Sequence, residues 1–344
     1  MRQSTRWIVF TLQVLAALGR SLVAQDDNSQ AQKPTWKASG TIDGYETPIH
    51  SLAFGPGTIL VSGDEAGIRI WESETKQEFP FYQRQAPNRS TISGITFAPD
   101  NTWVSLRGLH EFHFAFGDKY MKDGRPLDFG VGGRGEKLWP LAIATDGKTY
   151  AMRLSEPAHA VHIVRHDFVS KPPMPQAIIA SCKGHEDEPQ CAAFSPDAKT
   201  LATGSRDRTV RLWDCENGKP LDILRGHALG VAVVSFAPNG ELLATGGIDG
   251  QVKLWNVAAR TERATLPGKS ALRCLAFSPD GKRLACGDDE GILRIWSTSD
   301  STLEAELSAH PGGMFAVAFN RDGKSLASGG SDKVLRLWNR PESR

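Results

Sequence analysis

Apolar and polar residues alternate in short runs along most of this chain, and Pro, Asp, Asn or Gly separates each run from the next. Residues 49–54, 59–63 and 68–71 make one such set of three. A period of two places successive side chains on opposite faces of an extended backbone, so each run predicts a β-strand. Pro196-Asp197, Pro238-Asn239-Gly240 and Pro279-Asp280-Gly281 put proline where a tight turn needs its fixed φ, which predicts hairpins. Beyond residue 24 no stretch keeps a helical period, so the expected fold class is all-β.

The runs themselves recur. Gly184-His185, Phe194-Ser195-Pro196-Asp197, Thr203, Asp207 and Trp213-Asp214 return as Gly226-His227, Phe236-Ala237-Pro238-Asn239, Thr245, Asp249 and Trp255-Asn256. They return again through His310, Phe319, Ser328 and Asp332 to Trp338-Asn339. The tryptophans at 213, 255, 296 and 338 are spaced by 42, 41 and 42 residues. In three units the histidine precedes its tryptophan by 28, the hydroxyl by 10 and the aspartate by 6. Such a period, built of short strands, marks an array of four-stranded propeller blades.

These residues resemble the WD40 repeat family. In that family His, Ser or Thr, Asp and Trp form a buried hydrogen-bonded tetrad that locks one blade. The resemblance implies such tetrads for His185, Thr203, Asp207 and Trp213, for His227, Thr245, Asp249 and Trp255, and for His310, Ser328, Asp332 and Trp338. The unit ending at Trp296 departs, with Gly268, Cys286 and Glu290 at the three polar positions. Its closure is expected to rest on apolar packing. The unit ending at Trp71 has Asp43 at the histidine spacing.

Between Trp71 and Trp213 lie 142 residues, room for two further units at about 45 residues each. The expected architecture is a seven-bladed β-propeller of four-stranded antiparallel blades over residues 35–340, with blades 2 and 3 (about residues 83–170) degenerate. Six residues follow Trp338, too few for an outer strand. Residues 35–40 are expected to supply it, so that an N-terminal strand closes the last blade and no edge is left unpaired.

Composition adds limits. Lys plus Arg number 40 against 39 Asp plus Glu, a net charge of +1 that lacks the basic excess of a phosphate-binding surface, so nucleic acid is not expected as a partner. Arg2 and Arg6 precede an apolar run at 7–18, followed by small and polar residues up to Ala24, the layout of a secretory signal. As a helix that run reaches about 18 Å, short of a hydrocarbon core of about 30 Å. Residues 1–24 are therefore expected to be a signal peptide and 25–34 a disordered linker. The product would be exported, periplasmic or secreted, without stable membrane insertion. The five cysteines include no C-x-x-C spacing, and Cys191 and Cys274 each stand three residues before a blade phenylalanine. That repeated slot argues for small core residues, with a disulfide left open.

Several constellations imitate chemistry. The His, hydroxyl and Asp sets resemble hydrolase triads, but a triad needs one exposed nucleophile beside an oxyanion site, and these recur in three blades. Gly130-Val131-Gly132-Gly133-Arg134-Gly135 matches a dinucleotide fingerprint without the helix that must follow. His110 with His113, and His159 with His162 and His166, sit at strand spacings that send side chains three apart to opposite faces, so no metal is expected. Asn88-Arg89-Ser90 is a glycosylation sequon.

No cofactor and no catalytic residue are therefore expected. WD40 proteins typically hold proteins or peptides on the loops before the first strand and between the second and third strands of each blade. By position those loops carry Tyr45, Glu46, Glu186, Asp187, Arg206, Arg208, Leu229, Ile248, Asp289 and Lys333. A non-catalytic protein-binding scaffold is the leading expectation. A propeller enzyme with a channel metal, hydrolase- or lactonase-like, and a structural subunit of an envelope complex are the alternatives.

Overall fold

The computed structural model describes residues 36–79, 92–97, 103–107, 111–114, 121–122, 125–126, 128–131, 138–146, 148–154, 159–165 and 177–340. Residues 1–35, the sequon at 88–90, His110, residues 132–135 and His166 lie outside them. Contacts divide the chain into Met1–Pro34 and Thr35–Glu342, and every described residue belongs to the second unit.

Every regular element among the described residues is a strand. The chain opens with β1 (Lys37–Ile42). A sheet of β2 (Ser51–Phe54), β3 (Ile59–Gly63), β4 (Ile68–Glu72) and β5 (Gln77–Glu78) follows. Next β6 (Ile92–Phe97) pairs with β7 (Trp103–Arg107). β8 (Glu111–Phe114), β9 (Met121–Lys122), β10 (Arg125–Pro126) and β11 (Asp128–Val131) form two pairs, β8 with β11 and β9 with β10.

Four-stranded sheets then come in succession. One holds β12 (Leu138–Ile143), β13 (Thr149–Leu154), β14 (Val161–Arg165) and β15 (Ala177–Cys182). The next holds β16 (Pro189–Phe194), β17 (Thr200–Ser205), β18 (Thr209–Asp214) and β19 (Pro220–Arg225). It is followed by β20 (Val231–Phe236), β21 (Leu242–Gly247), β22 (Val252–Asn256) and β23 (Thr261–Leu266). After these come β24 (Leu272–Phe277), β25 (Arg283–Asp288), β26 (Ile292–Ser297) and β27 (Leu303–Ser308). The last sheet holds β28 (Met314–Phe319), β29 (Ser325–Gly330) and β30 (Leu335–Asn339), and β1 lies antiparallel beside β30. All these pairings are antiparallel meanders, as in propeller blades.

The β1 register runs from Lys37 opposite Asn339 to Ile42 opposite Leu335, two residues later than the run at 35–40 suggested. Trp36 explains the offset. It is 2% exposed and meets Phe319 edge-on at 5.8 Å, so it anchors the segment in the core and pairing starts after it.

The core lies between neighbouring sheets. Ala142, Ala151 and Val161 of one sheet share a cluster with Phe194, Leu201 and Trp213 of the next. The same interlock joins Ala202 and Leu212 to Val234 and Trp255, and Leu254 to Phe277 and Trp296. At the junction of the first and last sheets Leu52, Leu60 and Trp71 pack on Ala316, Ala327 and Leu337. Each blade is thus apolar on both faces, which no isolated sheet could tolerate in water. β6, β12, β16 and β20 border one cavity of about 280 Å³.

The proline turns form as drawn from sequence. The N–H groups of Ala198, Gly240 and Gly281 donate to the carbonyls of Ser195, Ala237 and Ser278 at 2.8–2.9 Å. Each inner strand from β16 onward begins with a bulge, between Pro189 and Cys191, Val231 and Val233, Leu272 and Cys274, and Met314 and Ala316. One residue per blade thereby leaves the ladder near its end.

Candidate functional site

Pairing of β17 with β18 sets Thr203 opposite Arg211 and Leu201 opposite Trp213, so Thr203 and Trp213 share a face. The Trp213 indole N–H donates to Thr203 Oγ1 at 2.8 Å, Thr203 Oγ1 meets His185 Nε2 at 2.7 Å, and His185 Nδ1 meets Asp207 at 2.7 Å. The next blade repeats this: Trp255 to Thr245 at 2.9 Å, Thr245 to His227 at 2.8 Å, His227 to Asp249 at 3.1 Å. The last repeats it with Ser328, from Trp338 at 2.8 Å, to His310 at 2.7 Å, and from His310 to Asp332 at 2.8 Å. A consistent assignment gives each hydroxyl proton to Nε2 and each Nδ1–H to the carboxylate, leaving the imidazoles neutral.

Burial lowers the basicity of His185, His227 and His310, and their aspartates only partly offset it. Burial pushes the Asp207 carboxyl up, but hydrogen bonds from Thr209 and His185 and from the N–H groups of Thr209 and Glu186 outweigh it and hold the group at about 2. Thr203, Thr245 and Ser328 are 0% exposed, so these hydroxyls meet no substrate.

Two blades keep the architecture with other chemistry. In the first sheet Tyr45 Oη meets Ser62 Oγ at 2.6 Å and Trp71 Nε1 donates to the same oxygen at 3.1 Å. The Arg69 guanidinium lies 4.6 Å over the Tyr45 ring. Tyr45 is 7% exposed and its phenol is pushed well above its ordinary range by burial. The docking role expected for Tyr45 is therefore corrected: it stands where other blades use histidine. In the blade of Trp296, Asp288 pairs with Arg294 at 2.6 Å and Arg294 Nε donates to Glu306 at 2.8 Å. Both charges of the first pair are buried, and Trp296 Nε1 has no hydrogen-bond partner. Closure there rests on an ion pair as well as on apolar contact. Glu290 supplies a backbone N–H to Asp288 and leaves its own side chain exposed.

The remaining loop residues share a frame. The N–H of Arg206 donates to the carbonyl of Glu188 at 3.1 Å, Ile248 to Gly230 at 2.8 Å, Asp289 to Ala271 at 3.0 Å and Ser331 to Gly313 at 3.0 Å. One backbone bond thus ties the loop after the second strand to the loop before the first, in four successive blades. The side chains carried there differ: a cation, an alkyl group, an anion and a hydroxyl. Leu229 and Ile248 are about half exposed, at 50% and 47%. Arg206 reaches Glu188 at 3.4 Å, while Glu188 already holds Arg153. Asp289 takes a two-pronged ion pair from Arg273. Glu46, Glu186, Asp187, Arg208 and Lys333 are exposed.

Sequence reasoning passed over the bulge residues. Gln190, Ala232, Arg273 and Phe315 each stand five after the histidine position, and His50 stands five after Tyr45. His50 and Phe315 stack at 5.2 Å across the junction of the first and last sheets. The fixed offset from the histidine was the available signal. All five cysteines are free. Burial raises their thiols, Cys182, Cys191, Cys215 and Cys286 to about 12. Among the described residues no three His, Cys, Asp or Glu side chains converge as metal ligands do.

Four-stranded antiparallel sheets of this build, three of them carrying the same buried tetrad, define a blade-repeat protein of the β-propeller type. A family model for the IFT122 first β-propeller matches residues 175–340, just under half of the chain. The chain is 34% identical over 88 residues to nuclear distribution protein nudF 2 of Aspergillus clavatus, covering 26% of this chain and 20% of that protein. It is 62% identical over 34 residues to general transcriptional corepressor TUP1 of Saccharomyces cerevisiae, 10% of this chain and 5% of that one. It is 55% identical over 38 residues to a Notchless protein homolog of Arabidopsis thaliana, 11% and 8% of the two chains. These matches support a WD40 repeat protein. The matches span at most a fifth of these curated relatives. They also correct the expectation of export, periplasmic or secreted: the matched proteins are named for nuclear distribution and transcriptional corepression.

Proposed function

We propose that residues 35–340 form a seven-bladed propeller acting as a non-catalytic scaffold that holds a protein or peptide on its loop face. The observation that carries this reading is the shared frame of Arg206, Ile248, Asp289 and Ser331, one rigid backbone position with four different side chains. A fixed backbone with varied side chains suits recognition, because partner choice is written without cost to the scaffold. The exposed pair Leu229 and Ile248, next to Arg206, offers an apolar centre with a charged rim. Six four-stranded sheets, and the β6–β7 pair between two of them in the chain, support the count of seven among the described residues. A stable partner would cover roughly 800 Å². The test is capture of partners by wild type and by an Arg206→Glu, Ile248→Asp variant of unchanged melting temperature. Loss of a wild-type partner is expected, and identical partner sets would refute the reading.

A further inference from the structure

Two residues before each blade tryptophan stands a cation or its equivalent: Arg69, Arg211, Lys253, Arg294 and Arg336. Strand pairing places each opposite the hydroxyl position, at Ser62, Thr203, Thr245, Cys286 and Ser328. Four of the five are answered. Lys253 meets Glu262 at 2.9 Å and Thr265 at 2.8 Å. Arg294 meets Asp288 at 2.6 Å, Arg336 meets Asp332 at 2.5 Å, and Arg69 covers the Tyr45 ring.

Arg211 is the exception. Its neighbour on β19 is Ile223, where β27 offers Glu306 to Arg294. Arg211 Nε is buried without a partner, and among the described residues no carboxylate lies within ion-pair distance of the guanidinium. Asp207, close in sequence, is taken by His185 and Thr209. Space for the group is held by Gly184, at φ 144, where a Cβ would stand 2.7 Å from Arg211 Nη1.

Two further basic residues stand beside it, one along the chain and one along the ladder. Lys183 is exposed and adjoins Gly184 in the chain. Arg225 is opposite Thr209, two residues from Arg211 on the same face of the sheet, and is exposed. His162, 4% exposed, holds Ser181 through Nδ1 at 2.9 Å while its Nε2 is buried without a partner. Burial and then Lys183 lower the basicity of His162; at His185 burial lowers it most, Asp207 opposes this, and Arg211 and His159 add to the lowering.

We propose that Arg211, with Lys183 and Arg225, binds a phosphate-class oxyanion, either free phosphate or a phosphorylated side chain. A guanidinium presents paired donors matched to such an anion, and an uncompensated, half-buried one is already partly desolvated for it. The site lies on the flank of one blade and stands independently of the loop-face reading above.

The test titrates full-length protein with inorganic phosphate, and separately with a short phosphoserine peptide and its unphosphorylated twin, at ionic strength matched with sodium chloride. Arg211→Met keeps the apolar stem, and Lys183→Gln with Arg225→Gln changes exposed residues only, so a folding failure of the first leaves the second informative. Binding should weaken about tenfold or more in each variant. Equal affinity in wild type and folded variants, or no binding by wild type to either phosphate probe, overturns the proposal. A phosphopeptide that binds tighter than inorganic phosphate assigns the anion to a partner chain; parity assigns it to free phosphate.

Discussion

The Asp207 carboxylate accepts a hydrogen bond from the backbone N–H of Glu186 at 3.0 Å, as well as one from His185. Asp249 does the same for Ala228 at 2.8 Å. The tetrad aspartate is therefore a clasp between two loops: it sits on one and holds the backbone of the other. Core polar residues thereby set the positions of exposed ones.

Removing that clasp should be costly. Asp207→Ala leaves buried His185 Nδ1–H and Thr209 without their acceptor, a loss of about 2–4 kcal/mol for two unsatisfied groups. Urea denaturation of Asp207→Ala against wild type measures it. An unchanged midpoint would show that the tetrad carries no stability.

Acid should weaken the fold in two stages. His185, His227 and His310 are less basic folded than free, so below about pH 6.5 the unfolded chain binds protons that the folded chain refuses. Stability contributed by the neutral imidazoles is thus full above that pH and falls as pH drops towards their folded values. Asp207, Asp249 and Asp332 are held below their ordinary range, so their contribution is present above about pH 3.8 and is lost as pH falls further. Urea midpoints at pH 7.5, 6, 5 and 4 should decline steadily; a flat profile from 7.5 to 5 contradicts the neutral assignment.

The blade of Trp296 should behave differently from its neighbours. Asp288→Ala strands Arg294 with only the partly exposed Glu306 and should cost about 3 kcal/mol. The double change Asp288→Leu, Arg294→Met removes both charges and should cost less than Asp288→Ala alone. A double-mutant cycle by chemical denaturation decides it, and strict additivity would mean that the two charges are not coupled.

How far the sequence carried the fold depended on which spacings the ladder enforces. Thr203 and Trp213 are legible because two paired strands with a fixed turn leave one separation between them. Tyr45 is hidden because it stands 26 and not 28 before Trp71: the first blade's turn at 64–67 is one residue shorter, and Tyr45 precedes Ser62 by 17 where His185 precedes Thr203 by 18. The Asp288–Arg294 pair is hidden for another reason. Its carboxylate comes from the end of β25, outside the tetrad spacing, and only the fold shows that Arg294 turns inward to meet it. Exposure is the least legible property, since the same loop offset gives buried Tyr45 and exposed Leu229.

Arg208 and Lys333 allow stability to be separated from recognition. Both occupy the left-handed region, at φ 70 and 63, five residues before their tryptophans. Gly250 and Gly291 hold the same place in the two blades between, at φ 79 and 78. A side chain there costs on the order of 1 kcal/mol that glycine avoids, while glycine loosens the unfolded chain by a similar amount. Arg208→Gly and Lys333→Gly should therefore melt within about 1 kcal/mol of wild type. If these cations serve docking, the same variants should lose partner binding at undiminished stability, measured by calorimetry with the captured partner. Full binding by both would remove Arg208 and Lys333 from the docking face and leave the apolar pair Leu229 and Ile248 to carry it.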